Sequence, residues 1–233
     1  MTLEYQVVVP GAYIPSHNPL PVSGGNISIG PRPENPGYET RWQGLPMKDD
    51  GNGDDAMAGD DIFTVTLPAR DHRTLVRYRI TVEDGEGLSE RVPYPDDASL
   101  NFAYFVYNGV PAYEGNSTAT MESLPVYHLI TRNEDYAECF AYNGGDQIQQ
   151  GTDARFFYNW NGTLVYEGIV YDNIRYRLRG ANGRYHQRGK RSMRFRLNDG
   201  YYFQARDQDG EPYPRKWRTL TTGKGFDNRG TLT

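Results

Sequence analysis

Thr74-Leu-Val-Arg-Tyr-Arg-Ile-Thr-Val82 is the stretch of sequence that most clearly predicts a fold class. Its residues alternate with the period of a β-strand, which separates them into two faces, one with Val76, Tyr78, Ile80 and Val82 and the other with Leu75, Arg77, Arg79 and Thr81. Asp84-Gly-Glu-Gly87 follows with the residue types of a turn. The stretch therefore predicts a strand that ends at a turn.

The rest of the first half repeats this pattern of short strands and turns. Further strands are predicted at residues 3–9, 24–30, 38–47 and 61–67. The 26 Gly and 15 Pro among 233 residues exclude a helical bundle, because helices avoid both residues in their interiors. The 3 Trp, 19 Tyr and 9 Phe exclude a disordered polar tract. We expect a mainly β protein in which residues 1–98 form a β-sandwich of the immunoglobulin or fibronectin III type.

Val92-Pro-Tyr-Pro-Asp-Asp97 marks the predicted end of this sandwich, because its two prolines hold the chain extended. Residues 99–123 form a predicted connecting segment, in which the aromatic stretch 101–107 packs as a last strand or as a strap. Residues 124–233 form the predicted second domain, a β-rich α+β lobe. Its predicted elements are strands at 124–130, 171–179 and 192–197, a helix at 133–140, and a hairpin turn at Asn161-Gly162.

Charge is divided unequally along the chain. The residues before Met121 include 17 acids and 8 bases, a net charge of −9, and those from Met121 onward include 13 acids and 17 bases, a net charge of +4. Such asymmetry suggests two domains. Nine bases and one acid lie between Tyr171 and Asn198, where we expect an anionic partner to bind.

Two predicted strands in this basic stretch carry arginines at alternate positions. Arg175, Arg177 and Arg179 share one face of the first strand, Arg194 and Arg196 face outward from the second, and a glycine-containing loop joins the strands. Three interpretations remain, namely a solvated strand face, nucleic-acid binding, and binding of nucleotide phosphates. An acidic pI of 5.4 and the lack of a nucleic-acid-binding motif argue against nucleic acid. Loop amides with a basic side chain are the groups that phosphoryl transfer uses.

Val170-Tyr-Asp-Asn-Ile-Arg-Tyr-Arg-Leu-Arg-Gly180 and Gly189-Lys-Arg-Ser-Met-Arg-Phe-Arg-Leu-Asn-Asp199 resemble the core signature of the spore-coat CotH kinase-like family. The resemblance covers residues 124–233 and is most specific at Arg179-Gly180 and at residues 190–197. It implies the nucleotide-binding lobe of an atypical protein kinase that binds ATP with Mg²⁺ and acts on a protein substrate. The preceding half resembles the sandwich modules that accompany this domain in exported bacterial proteins, which implies an extracellular or cell-envelope location; the chain itself carries no signal peptide.

The resemblance also implies roles for individual residues. Arg179 and Gly180 would belong to the turn that approaches the phosphates, and Lys190 or Arg196 would take the place of the phosphate-binding lysine. The family usually has lysine where this chain has Arg196, and guanidinium delivers its charge as a broad fork. Family members continue into a second lobe that supplies the catalytic base and the magnesium ligands, so no catalytic residue is assigned here. We therefore expect an N-terminal fragment of a CotH-like kinase that is inactive without its missing C-terminal lobe.

The alternative is a non-catalytic envelope or extracellular binding module that recognises an acidic protein or glycan. No nucleic-acid partner is expected for either function. No membrane span is expected either, because no apolar run approaches the roughly 20 residues that a spanning helix needs.

The acidic segment from Asp49 to Asp61 is the other candidate site. Asp50, Asn52, Asp54 and Asp61 stand at positions 1, 3, 5 and 12 of a calcium loop, but Asp55 replaces the glycine of position 6. A solvated hairpin loop and a weak structural Ca²⁺ site both remain. Cys139 is the only cysteine, which excludes an internal disulfide, and we expect it to be a small buried side chain.

Overall fold

The computed structural model describes residues 1–23, 26–28, 30–123, 125–141, 157–179 and 192–223. The protein is mainly β, as the sequence predicts, and in these ranges three short helices lie among the strands: α1 (Pro36–Glu39), α2 (Thr118–Glu122) and α3 (Asn133–Ala141). The strands are β1 (Thr2–Val8), β2 (Val22–Ser23), β3 (Asn26–Ile27), β4 (Gln43–Pro46), β5 (Leu75–Glu83), β6 (Ser89–Val92), β7 (Phe102–Phe105), β8 (Tyr127–Ile130), β9 (Trp160–Tyr166), β10 (Ile169–Leu178), β11 (Met193–Arg196) and β12 (Thr219–Thr222). None of the helices in these ranges has the length and apolarity of a membrane-spanning helix.

The residues group into two compact units, each built from separate stretches of chain. The first comprises Met1–Ile14, Pro36–Ile130 and Thr163–Asp172, and the second comprises Pro15–Asn35, Thr131–Gly162 and Asn173–Thr233. The boundaries at residues 98 and 124 and the sandwich type stay predictions.

β5 is the central strand of the five-stranded sheet in the first unit. The strand order is β4-β1-β5-β6, and β7 also pairs with β5. All pairs are antiparallel, with Val8 opposite Leu75, Leu75 opposite Phe105, and Ile80 opposite Val92. The predicted strand at 74–82 is confirmed, and the aromatic stretch at 101–107 contributes the strand β7.

Both faces of β5 are buried. Leu75 packs with Val8, Tyr13, Ile14 and Tyr38 on one side, and Val76 packs with Leu3 and Tyr5 on the other. Arg77 is fully buried on the side of Leu75. The alternation of β5 therefore separates two apolar clusters, and one of the two includes a buried charge.

The strand predicted at 61–67 is wrong. This segment forms one isolated bridge, between Thr64 and Lys48. Asp61 adopts a positive φ of 64°, which breaks the extended backbone at the start of the segment. Val65 and Leu67 still pack against the cluster around Val76, which accounts for the alternation in the sequence.

The second five-stranded sheet has the order β12-β11-β10-β9-β8. β10 pairs with β11 and β11 with β12, both antiparallel, and β8 pairs with β9 with Tyr127 opposite Tyr166. The predicted strands at 171–179 and 192–197 and the predicted helix at 133–140 are confirmed.

The hairpin turn predicted at Asn161-Gly162 is wrong, because β9 runs straight through these two residues. The turn lies at Glu167-Gly168, where φ is 49° and 76°. Positive φ at both central residues is the requirement of a type I′ turn. Asn161 is instead a buried strand residue whose side chain accepts a hydrogen bond from Arg32.

Candidate anion-binding site

The site lies on one face of β10, β11 and β12, and the opposite face of these strands explains their packing. Tyr176, Phe195 and Leu220 are opposite one another on the three strands, and all are buried. Trp160 stacks near Tyr176, with ring centroids 6.3 Å apart. This face therefore contributes apolar core to the second unit.

The other face carries two rows of polar residues that cross the three strands. Arg175 is opposite Arg196, and Arg196 is opposite Thr219. The second row is Arg177, Arg194 and Thr221. We call this surface the arginine face; it consists of Arg175, Arg177, Arg194, Arg196, Thr219 and Thr221. Opposite residues of antiparallel strands have Cβ atoms about 5 Å apart, so the four guanidinium groups share one small surface.

Like charges this close disfavour one another. Burial lowers the pKa of Arg175, and the nearby Arg196 guanidinium lowers it further. The Asp199 carboxylate acts in the opposite direction but does not cancel the shift. Burial also lowers the pKa of Arg177, and Arg194 adds to this effect. Arginine stays protonated at neutral pH all the same, so the arginine face holds concentrated positive charge.

Tyr158 lies beside the two rows. Its ring centroid is 5.0 Å from the guanidinium carbon of Arg177 and 6.0 Å from that of Arg196. Arg177 is itself buried and donates a hydrogen bond to the Leu178 carbonyl at 2.9 Å. The Tyr158 ring therefore makes cation–π contacts with an arginine from each of the two rows.

Few carboxylates balance this charge in the described ranges. Asp199 partly opposes the lowering of the Arg175 pKa. Its carboxylate, however, forms an ion pair with Arg218 at 2.8 Å. Between described residues, Arg175, Arg194 and Arg196 form no ion pair. Guanidinium and threonine hydroxyl groups in this arrangement can donate several hydrogen bonds to the oxygens of a phosphate, sulfate or carboxylate.

The residues that the sequence selected for phosphate binding are placed as follows. Arg196 lies on the arginine face. Arg179 is exposed just beyond β10, and its backbone amide donates to the Ser192 carbonyl at 2.8 Å. Gly180 and Lys190 lie outside the described residues. Thr219, Thr221 and Tyr158 were missed; the Thr-Leu-Thr alternation at 219–221 is the signal that could have indicated another strand with a polar face.

In the acidic segment, the structure brings together carboxylates other than the predicted ones. Asp49, Asp55 and Asp60 have oxygens within 4.8 Å of one another, whereas calcium spacing selected Asp50, Asn52, Asp54 and Asp61. Asp50 pairs with Lys48 at 3.4 Å, the Asp54 carboxylate accepts from the Thr66 hydroxyl, and Asp61 contributes its amide to the Asp49 carboxylate at 3.1 Å.

The Asp49 carboxylate accepts hydrogen bonds from three backbone amides of this loop, those of Gly59, Asp60 and Asp61. Calcium binding stays a prediction.

Cys139 is buried, as expected. Burial raises the pKa of its thiol far above the ordinary value. The group is therefore a neutral packing residue rather than a nucleophile at neutral pH.

Comparisons of the chain with models of protein families, with curated proteins and with solved structures found no match. The resemblance to the CotH kinase-like family accordingly stays a prediction from the residues quoted above.

Proposed function

We propose that the arginine face binds the phosphate groups of a nucleotide, and that the chain contains the nucleotide-binding lobe of a CotH-like kinase. The observation that carries the proposal is the register of β10 and β11, which sets Arg175 opposite Arg196 and Arg177 opposite Arg194. Two such pairs of like charges destabilise the free sheet, and a bound polyanion removes that cost. In the complete kinase the ligand would be ATP with Mg²⁺, the transfer chemistry would belong to the second lobe, and the acceptor would be a protein.

Arg196 and Thr219 are the side chains best placed to hold a phosphate group, because Arg196 lies in the middle of its row. It has Arg175 on one side and Thr219 on the other. The ring of Tyr158 offers a stacking surface for the base or sugar next to these donors. Lys190 is the other candidate for this role, on the resemblance alone.

Calorimetric titration with ATP and Mg²⁺ tests the proposal. Arg196→Ala is expected to weaken binding by about tenfold to a hundredfold, since a hydrogen bond to a charged group contributes about 1.5–3 kcal/mol. Lys190→Ala tests the competing assignment in the same titration. Arg215→Ala is the matched control, because Arg215 is an exposed arginine of the same unit outside the three strands.

Adenosine separates phosphate recognition from base stacking. The proposal expects adenosine to bind far more weakly than ATP. Equal affinities for ATP and adenosine, or an ATP affinity unchanged by both Arg196→Ala and Lys190→Ala, would contradict it.

One observation favours the alternative of a binding module for an acidic glycan. Tyr158 lies against both Arg177 and Arg196, and a sugar ring can stack on tyrosine while its acidic groups pair with arginine. Heparin is the probe for this alternative. Tight binding of heparin by a protein that does not bind ATP would favour it over the kinase function.

A further inference from the structure

The first unit contains a cavity of about 450 Å³ that has no part in the arginine face. Ligand sites for small molecules typically have volumes of about 300–1,000 Å³. Its walls come from the end of β7 and the chain that follows it, from α2, from the segment before β8 and from the turn between β9 and β10. The aromatic and acidic residues among its lining are Phe105, Tyr107, Glu122, His128, Tyr166 and Glu167.

Aromatic rings form one side of this cavity. The ring centroids of Tyr107 and His128 are 4.6 Å apart in an edge-on arrangement, and Phe105 lies within 5.8 Å of Tyr107 and 5.4 Å of His128. Tyr107 lines the cavity and is 38% exposed, and the ring of His72 also stacks on it with centroids 5.4 Å apart. The planes of Phe105 and Tyr107 are nearly parallel, at 19°, whereas His128 is inclined to them at 49° and 67°, so the rings present π-electron density in two directions.

Carboxylates accompany the tyrosines of the cavity. Burial and the nearby Glu122 carboxylate raise the pKa of Tyr107. Burial and Glu167 raise the pKa of Tyr166 to about 12. Glu122 is held in place because its Oε1 accepts from the Val110 amide at 3.0 Å.

None of the described residues that line the cavity is a lysine or an arginine. Burial, Arg73 and His72 lower the pKa of His128, so this histidine is neutral near pH 7. Arg73 is close enough to influence His128 and Tyr107 but does not line the cavity. The interior therefore combines negative charge with aromatic faces.

We propose that this cavity binds a small organic cation, a substituted ammonium group with an apolar body. The positive head contacts the rings of Tyr107, Phe105 and the neutral His128 and is attracted by Glu122, while Val126 and Val165 contact the apolar part. A neutral ligand of the same shape gains the apolar contacts alone.

Choline and its uncharged isostere 3,3-dimethylbutan-1-ol are the probes that test the proposal, by titration of the whole chain with NMR detection. Choline is expected to bind at least tenfold more tightly than the alcohol. Glu122→Gln is expected to weaken choline binding up to about fivefold, because it removes a solvent-accessible charge and keeps the oxygen that accepts from Val110. Tyr107→Leu is expected to weaken it by about threefold to tenfold.

Glu86→Gln is the matched control, because it removes an exposed carboxylate of the same unit from a turn outside the cavity. Thermal unfolding of each variant shows that the fold is intact, and neither cavity variant should change the affinity for the alcohol by more than about twofold. Equal affinities for choline and the alcohol would overturn the proposal, as would absence of choline binding or a choline affinity insensitive to both cavity variants.

Discussion

Arg77 is a fully buried charged side chain in the first unit, so its guanidinium group needs hydrogen-bond partners inside the protein. Its Nε and Nη2 donate to the two carboxylate oxygens of Asp172 at 2.7 and 3.1 Å, and its Nη1 donates to Gln6 and to the Ile14 carbonyl. The guanidinium also lies over the rings of Tyr13 and Tyr38. Each nitrogen of this buried cation therefore donates at least one hydrogen bond, and a buried charge is tolerated when it is paired in this way.

Asp172 is satisfied in the same way. Besides Arg77, its carboxylate accepts from Asn101 at 2.8 Å and from the Thr163 hydroxyl. Burial alone would raise the pKa of Asp172, but the Arg77 charge and these hydrogen bonds outweigh burial and hold the pKa below its usual value. The charged form is thus the one that the folded protein stabilises.

Asp172→Asn is therefore expected to lower the free energy of unfolding by about 3–5 kcal/mol at pH 7, because it leaves the Arg77 charge buried without its counterion. Glu39→Gln is the matched control. Glu39 also forms a two-pronged pair with an arginine of β5, Arg79, but its side chain is 63% exposed, and a loss of about 1 kcal/mol is expected. Urea unfolding measures both, and equal losses would contradict the dominant role of burial.

The pH dependence of this effect follows from the direction of the pKa shift. A depressed carboxyl pKa in the folded state adds stability above the unfolded pKa of about 3.9, and that stability disappears as the pH falls through the folded value. The difference in unfolding free energy between the native protein and Asp172→Asn should thus be constant from about pH 5 to 8 and shrink below about pH 4. A difference that grows on acidification would contradict the ionised pair.

At the scale of elements, the turn between β9 and β10 depends on backbone conformation more than on side chains. Gly168 has φ of 76°, and a Cβ added there meets no atom within 4 Å. Gly168→Ala is expected to lower the free energy of unfolding by about 1–2 kcal/mol through the left-handed backbone alone.

Gly44→Ala is the control for this prediction. Gly44 lies in β4 and has ordinary negative φ, and a Cβ there makes only van der Waals contact with Thr2 at 3.5 Å. No loss, or a gain of about 0.4–1 kcal/mol, is expected from the reduced entropy of the unfolded chain. A loss at Gly44 as large as at Gly168 in thermal or urea unfolding would refute the conformational explanation.

The elements that could be predicted from the sequence are those whose signals are local. Alternation located β5, β10 and β11, and it correctly indicated that Arg194 and Arg196 face away from Phe195. The turn was misplaced because Asn161-Gly162 has the stronger local preference, while the buried contact of Asn161 with Arg32 depends on a residue 129 positions away in sequence. The burial of Arg77 depends likewise on Asp172, 95 positions away.

The two candidate sites also differ in whether local sequence signals or contacts between distant segments specify them. The arginine face could be predicted because alternate arginines on neighbouring strands specify it, apart from the threonines that β12 adds. The cavity could not be predicted, because Tyr107, Glu122, His128 and Glu167 come from four segments that are joined only by tertiary packing. The hydrophobic periodicity of a segment gives no information about which distant segments it contacts in the folded protein.

At the scale of the whole molecule, the net charge of −5 and the arginine face have opposite effects on an anionic ligand. If the net charge controlled binding, added salt would screen the repulsion and strengthen the affinity for ATP. If the arginine face controls it, salt weakens the affinity, because added ions screen the attraction between the guanidinium groups and the phosphates. We expect the second behaviour, with a decrease of about threefold to tenfold in ATP affinity between 50 and 300 mM KCl.

Calorimetry at constant pH and Mg²⁺ measures this decrease in affinity, and adenosine serves as the uncharged control, whose weak binding should not depend on salt. An ATP affinity that rises with KCl would show that the local concentration of guanidinium groups does not overcome the charge of the remaining molecule, and the arginine face would then not be the binding site.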